Sequence, residues 1–308
     1  MSPTTLPYVG RYAPSPTGPL HFGSLVAAVG SFLEARAHDG RWLLRIEDVD
    51  APRSVPGAAE RILRTLDRFG FEWDGPVVWQ SRREAAYRDA FERLHTAGHL
   101  FPCTCTRREL ADSALARDGS RLYPGTCRNA PSDSRPSRAW RVRVTGTVGL
   151  IDRVQGPLHE DLEAEVGDFV ILRADGLFAY QLAVVVDDAE AGVTDVVRGA
   201  DLLGSTGRQI FLQRLLGLAT PGYAHLPVAT NAAGEKLSKQ TLATAIDTQP
   251  AEAALHAALR FLGQAPPPGL ARAPLPELWA WARAHWRLGA VPRVLQAPAP
   301  TMPSAGDP

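Results

Sequence analysis

Two segments far apart in the chain carry residue types suited to holding a triphosphate. The first is Arg11-Tyr-Ala-Pro-Ser-Pro-Thr-Gly-Pro-Leu-His21-Phe-Gly-Ser24, and the second is Lys236-Leu-Ser-Lys-Gln240. In the first, the apolar lead-in of Tyr8 and Val9 gives way to prolines and a glycine that force a turn, and a helix face of Leu25, Val29, Phe32 and Leu33 follows. His21, Gly23 and Ser24 therefore fall at a helix start, where unpaired backbone N–H groups and the positive end of the dipole attract phosphate and His21 can donate to it. In the second, Lys236 and Lys239 flank Ser238 just after Asn231-Ala-Ala-Gly234, and they read as a phosphate clamp on a loop that can close. Taken singly, the first is any helix after a turn and the second a solvated patch. G-x-x-x-x-G-K-[ST] and G-x-G-x-x-G are both absent, so a nucleotide site here needs another scheme.

A further group has the charges that an amino acid with a side-chain carboxylate requires. Arg11 and Arg198 offer guanidiniums, Glu47 an anion for the ammonium and Tyr180 a hydroxyl. The competing readings are structural: Glu47 sits beside Arg45 and can pair with it, and Tyr180 lies in an apolar run.

Cys103, Cys105 and Cys127 are the only cysteines, and an odd count in a chain without secretory features argues for metal or redox use over a disulfide framework. Tetrahedral Zn²⁺ needs a fourth ligand, for which Tyr123 is the candidate; three buried free thiols is the competing reading. Around them, residues 100–165 are rich in arginine: Arg107, Arg108, Arg117, Arg121, Arg128, Arg135, Arg138, Arg141 and Arg143. A basic patch that grips RNA phosphates and a set of solvated arginines both fit that composition.

The elements that would position these residues alternate. Trp42 to Ile46 reads as a strand, Ala58 to Phe69 as a helix stopped by Gly70, Val77 to Trp79 as a strand, and Tyr87, Phe91 and Leu94 as the face of a helix closed by Gly98. Strand and helix in alternation imply a parallel sheet whose ligands bind beyond the carboxyl ends of the strands. After Gln240 come an Ala/Leu helix over 251–262, Pro266-Pro-Pro268, a helix around Trp279, Trp281 and Trp286, and a proline-rich tail expected to be disordered.

The chain has 308 residues, 45% of them hydrophobic, and its 33 basic and 33 acidic residues cancel, so nucleic-acid binding must come from a local patch. Met1-Ser-Pro-Thr-Thr-Leu-Pro shows no basic segment followed by an apolar run, and no stretch is apolar enough to span a bilayer, so the expected location is the cytoplasm, with no membrane partner.

These motifs together resemble the class I aminoacyl-tRNA synthetases, within them the glutamyl/glutaminyl branch. His21-Phe-Gly-Ser24 is similar to the HIGH signature, Lys236-Leu-Ser-Lys-Gln240 to KMSKS, Arg11 to Gly18 to R-x-A-P-S-P-T-G, Arg45-Ile-Glu-Asp-Val-Asp50 to R-I-E-D-T-D, and Gly192 to Gly199 to G-V-T-H-V-I-R-G. The resemblance implies a Rossmann-like α/β catalytic domain in two halves, 1–99 and 166–228. An inserted zinc- and RNA-binding subdomain over 100–165 resembles the acceptor-binding one, followed by a KMSKS-like loop with a small helical region over 229–295 and a disordered tail over 296–308. It assigns Arg11, Tyr12, Ala13, Pro14, Ser15, Glu47, Tyr180 and Arg198 to glutamate, and His21, Gly23, Ser24, Lys236, Ser238 and Lys239 to ATP with Mg²⁺. His21, Lys236 and Lys239 would carry the catalytic charges. A group of short paralogues in this branch has C-x-C…Y-x₃-C where Cys103, Cys105, Tyr123 and Cys127 stand, implying one structural zinc per chain.

Full-length members continue much further after KMSKS to read the anticodon, whereas 68 residues follow Gln240 here, and they carry R-G-E-D where this chain has Arg198-Gly-Ala-Asp201. Such short members imply a monomer that passes glutamate to the cyclopentenediol of the queuosine base in tRNA-Asp. The rivals are a truncated synthetase charging a tRNA 3′ end and a regulatory glutamate- or tRNA-binding paralogue that transfers nothing.

Overall fold

The structure is a computed structural model that describes residues 7–115, 119, 121–129, 137–237 and 244–300. Its first half follows the expected alternation: β1 (Val9–Tyr12), α1 (Phe22–Ala37), β2 (Arg41–Ile46), α2 (Ala58–Arg68), β3 (Val78–Trp79) and α3 (Glu84–Thr96). β1 pairs in parallel with β2, Gly10 opposite Trp42, and β2 in parallel with β3. α1 is buried almost all round, with Leu25, Val29, Phe32 and Leu33 at most 2% exposed, because it is enclosed by the sheet on one side and the C-terminal helices on the other. Gly30 permits that closeness, since a Cβ there would meet Leu226 Cδ1 at 2.5 Å.

An antiparallel insertion follows. β4 (Leu100–Cys103) pairs with β5 (Ala139–Val142), β6 (Thr147–Asp152) forms a hairpin with β7 (Gly156–Asp161), the short α4 (Leu162–Glu165) follows, and β5 pairs again with β8 (Val170–Leu172). The expected boundary at residue 165 is therefore too early: the insertion's own sheet is completed by a strand beyond it.

The second half of the parallel fold comprises α5 (Tyr180–Glu190), β9 (Asp195–Gly199), α6 (Leu203–Leu216) and β10 (Gly222–Leu226), with β9 and β10 parallel. The Thr194 N–H donates to Val9 O at 2.9 Å and sets β9 alongside β1, on the flank opposite β2. Chain progression thus reverses direction at β1 and β9, the topological switch point at which ligands of such sheets bind.

β11 (Val228–Thr230), α7 (Ala251–Phe261), α8 (Leu275–His285) and β12 (Gln296–Pro298) complete the description. α7 and α8 cover α1, with Trp279 Nε1 donating to Phe69 O at 2.8 Å and Trp286 Nε1 to Glu34 Oε2 at 2.7 Å. The expected tail does not begin at residue 296, because β12 pairs in parallel with β11, Val228 opposite Gln296, so its backbone groups have partners; residues 301–308 lie outside the described residues. Among the described residues, no helix is long and apolar enough to cross a membrane.

Candidate active site

At the switch point lies a cavity of about 510 Å³. Arg11 and Tyr12 reach it from the carboxyl end of β1, Ala13, Pro14 and Ser15 from the loop that follows, Glu47 from the end of β2, Tyr180 from the start of α5 and Arg198 from the end of β9. Every residue the resemblance assigns to glutamate therefore lines one cavity. Glu47 is held there by its backbone N–H donating to Pro14 O (3.0 Å) and by Arg45 Nη2 at 3.2 Å from its Oε1, so both the structural and the ligand-facing readings of this carboxylate apply. Burial pushes its pKa up against the pull of Arg45 and Arg11, as expected of an anion short of positive charge. Tyr180, pushed up to about 12 by burial and by the charge of Glu47, stays a neutral phenol able to donate. Tyr12 contributes its ring, since its hydroxyl donates to Ser24 O at 3.2 Å.

Sequence reasoning missed the acid beneath this cluster. Asp188, buried near the end of α5, lies 3.3 Å from Arg11 Nε and 2.6 Å from Arg45 Nη1, and although burial opposes its charge these guanidiniums hold its carboxyl below the ordinary range. It fixes Arg11 against β2 while diluting its charge. The signal was present in Asp187-Asp188, two carboxylates ending an apolar helix, which need buried cations.

Of the residues the resemblance assigns to ATP, His21, Gly23, Ser24 and Lys236 line the same cavity. His21 is the N-cap of α1: its Nδ1 accepts from Ser24 N (3.3 Å), and Ser24 Oγ accepts from His21 N (3.4 Å). That reciprocal cap corrects the expectation of unpaired N–H groups, because the Ser24 N–H is taken, and it assigns the imidazole proton to Nε2. Lys236 Nζ contacts Asp201 Oδ2 at 2.5 Å, with half of its side chain exposed. Asp201, in the segment that departs from full-length relatives, thus anchors the start of the lysine loop. Ser238 and Lys239 lie outside the described residues.

Arg198 is backed by a second buried pair that sequence reasoning missed, Asp152 with His225, their facing atoms 2.6 Å apart and both side chains inaccessible to solvent. Burial lowers the pKa of His225 to about 4, with Arg198 adding to the effect against the pull of Asp152. An unfolded chain protonates this histidine near 6.5 and the folded one does not, so stability is fully present above pH 6.5 and is lost as pH falls toward 4. The loss expected from this residue is about 3 kcal/mol. Urea denaturation at pH 7 and pH 4.5 checks it: His225→Gln should flatten the slope, and an unchanged slope overturns the assignment.

Cys103, Cys105 and Cys127 present sulfurs within 4.8 Å of one another. Tyr123 Oη lies 3.5 Å from Cys103 Sγ and 3.6 Å from Cys105 Sγ, and the sulfurs of Cys105 and Cys127 are 3.6 Å apart. Tetrahedral zinc with ordinary bond lengths has edges of about 3.8 Å between sulfurs and about 3.5 Å between sulfur and oxygen, so the donor set fits such an ion. Donors to the ligand atoms support it: Arg141 Nε to Cys103 Sγ (3.4 Å) and Cys127 N to Tyr123 Oη (2.7 Å). Burial opposes ionisation of Cys127, but hydrogen bonds from Tyr123 and Thr104 bring its thiol down to about 6.

The arginines of the insertion divide into two kinds. Arg128 pairs with Asp168, Arg141 is buried against Tyr123 and donates to Asp168 O, and Arg143 donates to Arg128 O, so these hold the insertion together and leave the basic patch smaller than its composition implied. Arg107, Arg108, Arg121 and Arg138 are exposed, whereas Arg117 and Arg135 lie outside the described residues.

Residues 8–259 match the model of the tRNA synthetases class I (E and Q), catalytic domain. The chain is 72% identical over 294 residues to glutamyl-Q tRNA(Asp) synthetase of Aromatoleum aromaticum, covering 96% of this chain and 93% of that one. It is 63% identical to the protein of the same name in Dechloromonas aromatica, covering 93% and 96%. Among solved structures, glutamate-tRNA synthetase from Elizabethkingia anophelis superposes with a TM-score of 0.76 at 24% identity, over 95% of this chain and 68% of that one, a likeness of fold. With the match spanning both halves of the parallel fold, the insertion between them and the start of the C-terminal region, the chain belongs to the class I tRNA synthetases of the glutamyl and glutaminyl branch.

Proposed function

We propose that this chain activates L-glutamate with ATP and transfers it to the queuosine base at the anticodon wobble position of tRNA-Asp, in the cytoplasm and as a monomer. The observation that carries the activation step is the convergence of Arg11, Arg198 and Glu47 with the His21 cap and Lys236 on one cavity, which suits a dicarboxylic amino acid beside a triphosphate. The acceptor is supported by the name shared by relatives at 72% and 63% identity.

In this reading the α-carboxylate of glutamate attacks the α-phosphorus of ATP and pyrophosphate departs. A hydroxyl of the cyclopentenediol then attacks the carbonyl of the adenylate and AMP departs. The chain supplies position and charge, with no covalent intermediate on a side chain. Nε2–H of His21 donates to the α-phosphate, while Lys236, Ser238 and Lys239 hold the leaving pyrophosphate, whose charge Mg²⁺ bound with the ATP would help to neutralise. Cys103, Cys105, Tyr123 and Cys127 hold a structural zinc, all four positions being filled by protein. The exposed arginines of the insertion meet RNA phosphates.

The test is to locate radiolabelled glutamate by nuclease fragmentation of total tRNA. Label is expected on the queuosine-bearing anticodon fragment of tRNA-Asp and absent from tRNA lacking queuosine. Label on a 3′-terminal adenosine would support the truncated synthetase instead, and glutamate binding without pyrophosphate exchange the regulatory paralogue.

A further inference from the structure

Behind the wall of the cavity, side chains from three elements form a line that ends on Arg198. Asp152 closes β6, and its Oδ1 accepts from the backbone N–H groups of Val154 (3.0 Å), Gln155 (2.8 Å) and His225 (3.1 Å), which leaves Oδ2 for His225 Nδ1 at 2.6 Å. His225, in β10, has Arg198 Nε 3.0 Å from its Nε2 and Thr206 Oγ1 at 3.2 Å. A carboxylate can only accept, so the imidazole proton resides on Nδ1 and Nε2 can only accept in turn. Arg198 Nε therefore donates to it, while Nη2 donates to Thr206 Oγ1 (2.9 Å) and Leu202 O (3.3 Å). The third nitrogen, Nη1, is buried with no hydrogen-bond partner among the described residues. A donor left in that condition is costly unless a ligand completes it, and this side chain lines the cavity.

We infer that Asp152 and His225 are positioning residues for substrate recognition: by fixing one histidine tautomer they lock two corners of the Arg198 guanidinium and reserve the third for the carboxylate of the amino acid. The inference deepens the proposed glutamate site and rests on that reading. It places part of the substrate selectivity in β6, a hairpin strand of the insertion, and in a carboxylate that does not line the cavity. The relay also explains why a neutral histidine accompanies a buried arginine. Its Nε2 is an acceptor that asks for no counter-charge, so no carboxylate among the described residues pairs directly with this guanidinium, whereas Arg11 pairs with Asp188.

Asp152→Asn tests it with no change of volume. The amide oxygen can keep the three backbone bonds, but its nitrogen is a donor facing Nδ1; the imidazole must then move its proton to Nε2, where it confronts the Arg198 Nε–H. In glutamate-dependent ATP–pyrophosphate exchange, we expect the KM for glutamate to rise about tenfold or more with the KM for ATP unchanged. His225→Gln, whose amide can donate toward Asp152 and accept from Arg198, should stay closer to wild type than His225→Leu. A folded Asp152→Asn protein with an unaltered glutamate KM, or with equal rises for glutamate and ATP, overturns the relay alone. A wild-type protein that activates no glutamate overturns the reading of the cavity, and the relay with it.

Discussion

Arg198→Ala is expected to lower kcat/KM for glutamate in pyrophosphate exchange by about 10²- to 10³-fold, equivalent to about 3 to 4 kcal/mol, with the melting temperature little changed. The size follows from burial. Arg198 is 5% exposed, so a substrate carboxylate paired with it leaves water almost completely, and deleting the guanidinium strands that carboxylate in a cavity with little else to solvate it. Arg198→Lys should fail nearly as badly, because a single ammonium cannot serve His225, Thr206 and a ligand from the three corners of one plane. Glutamine should gain relative to glutamate in Arg198→Ala, since it does not need the lost charge. Retention of glutamate activation within about threefold of wild type would remove Arg198 from the binding site.

Metal is expected at one zinc per chain in protein purified without chelator, and Cys127→Ser should lose it. The effect should be large because the cysteine cluster is a separate core whose buried members, among the described residues, are Phe101, Cys103, Tyr123 and Cys127. Four side chains bury too little apolar area to order the loops around them, whereas zinc in small structural sites contributes on the order of 10 kcal/mol of apparent binding energy. Limited proteolysis should therefore cut the insertion of Cys127→Ser while leaving the parallel fold intact, and Tyr123→Phe should weaken zinc retention without abolishing it. Purified protein free of zinc, or Cys127→Ser with full metal content, would assign the cluster to free thiols.

What could be read from the sequence was local. The strand from Trp42 to Ile46 and the helix stopped by Gly70 follow from periodicity and punctuation within a dozen residues, and the structure places them at β2 and α2. The motifs assigned to glutamate and ATP were recognisable because each is short and ordered, and the described residues among them line one cavity. The antiparallel insertion was not, because β4, β5 and β8 are joined by pairings that no local pattern announces. The same holds for Asp152 and His225, which lie 73 residues apart and each read as one polar residue in a strand. The proline-rich surroundings of β12 read as tail in the sequence, yet a proline can end an edge strand, as Pro298 does opposite Thr230.

Glu34 shows what such distance costs a chain as it is made. This buried carboxylate in α1 accepts from Arg153 at 2.9 Å and from Trp286 Nε1 at 2.7 Å, the latter 252 residues away. Synthesis runs from the N-terminus, so until Arg153 and Trp286 are made α1 exists without the groups that satisfy Glu34 and without the helices that cover its outer face. The nucleotide fold, although encoded first, reaches its final packing only when the region around α8 has left the ribosome. Its folding is therefore paced by the synthesis of a segment 252 residues downstream, and α1 stays exposed to chaperones and proteases until that segment emerges.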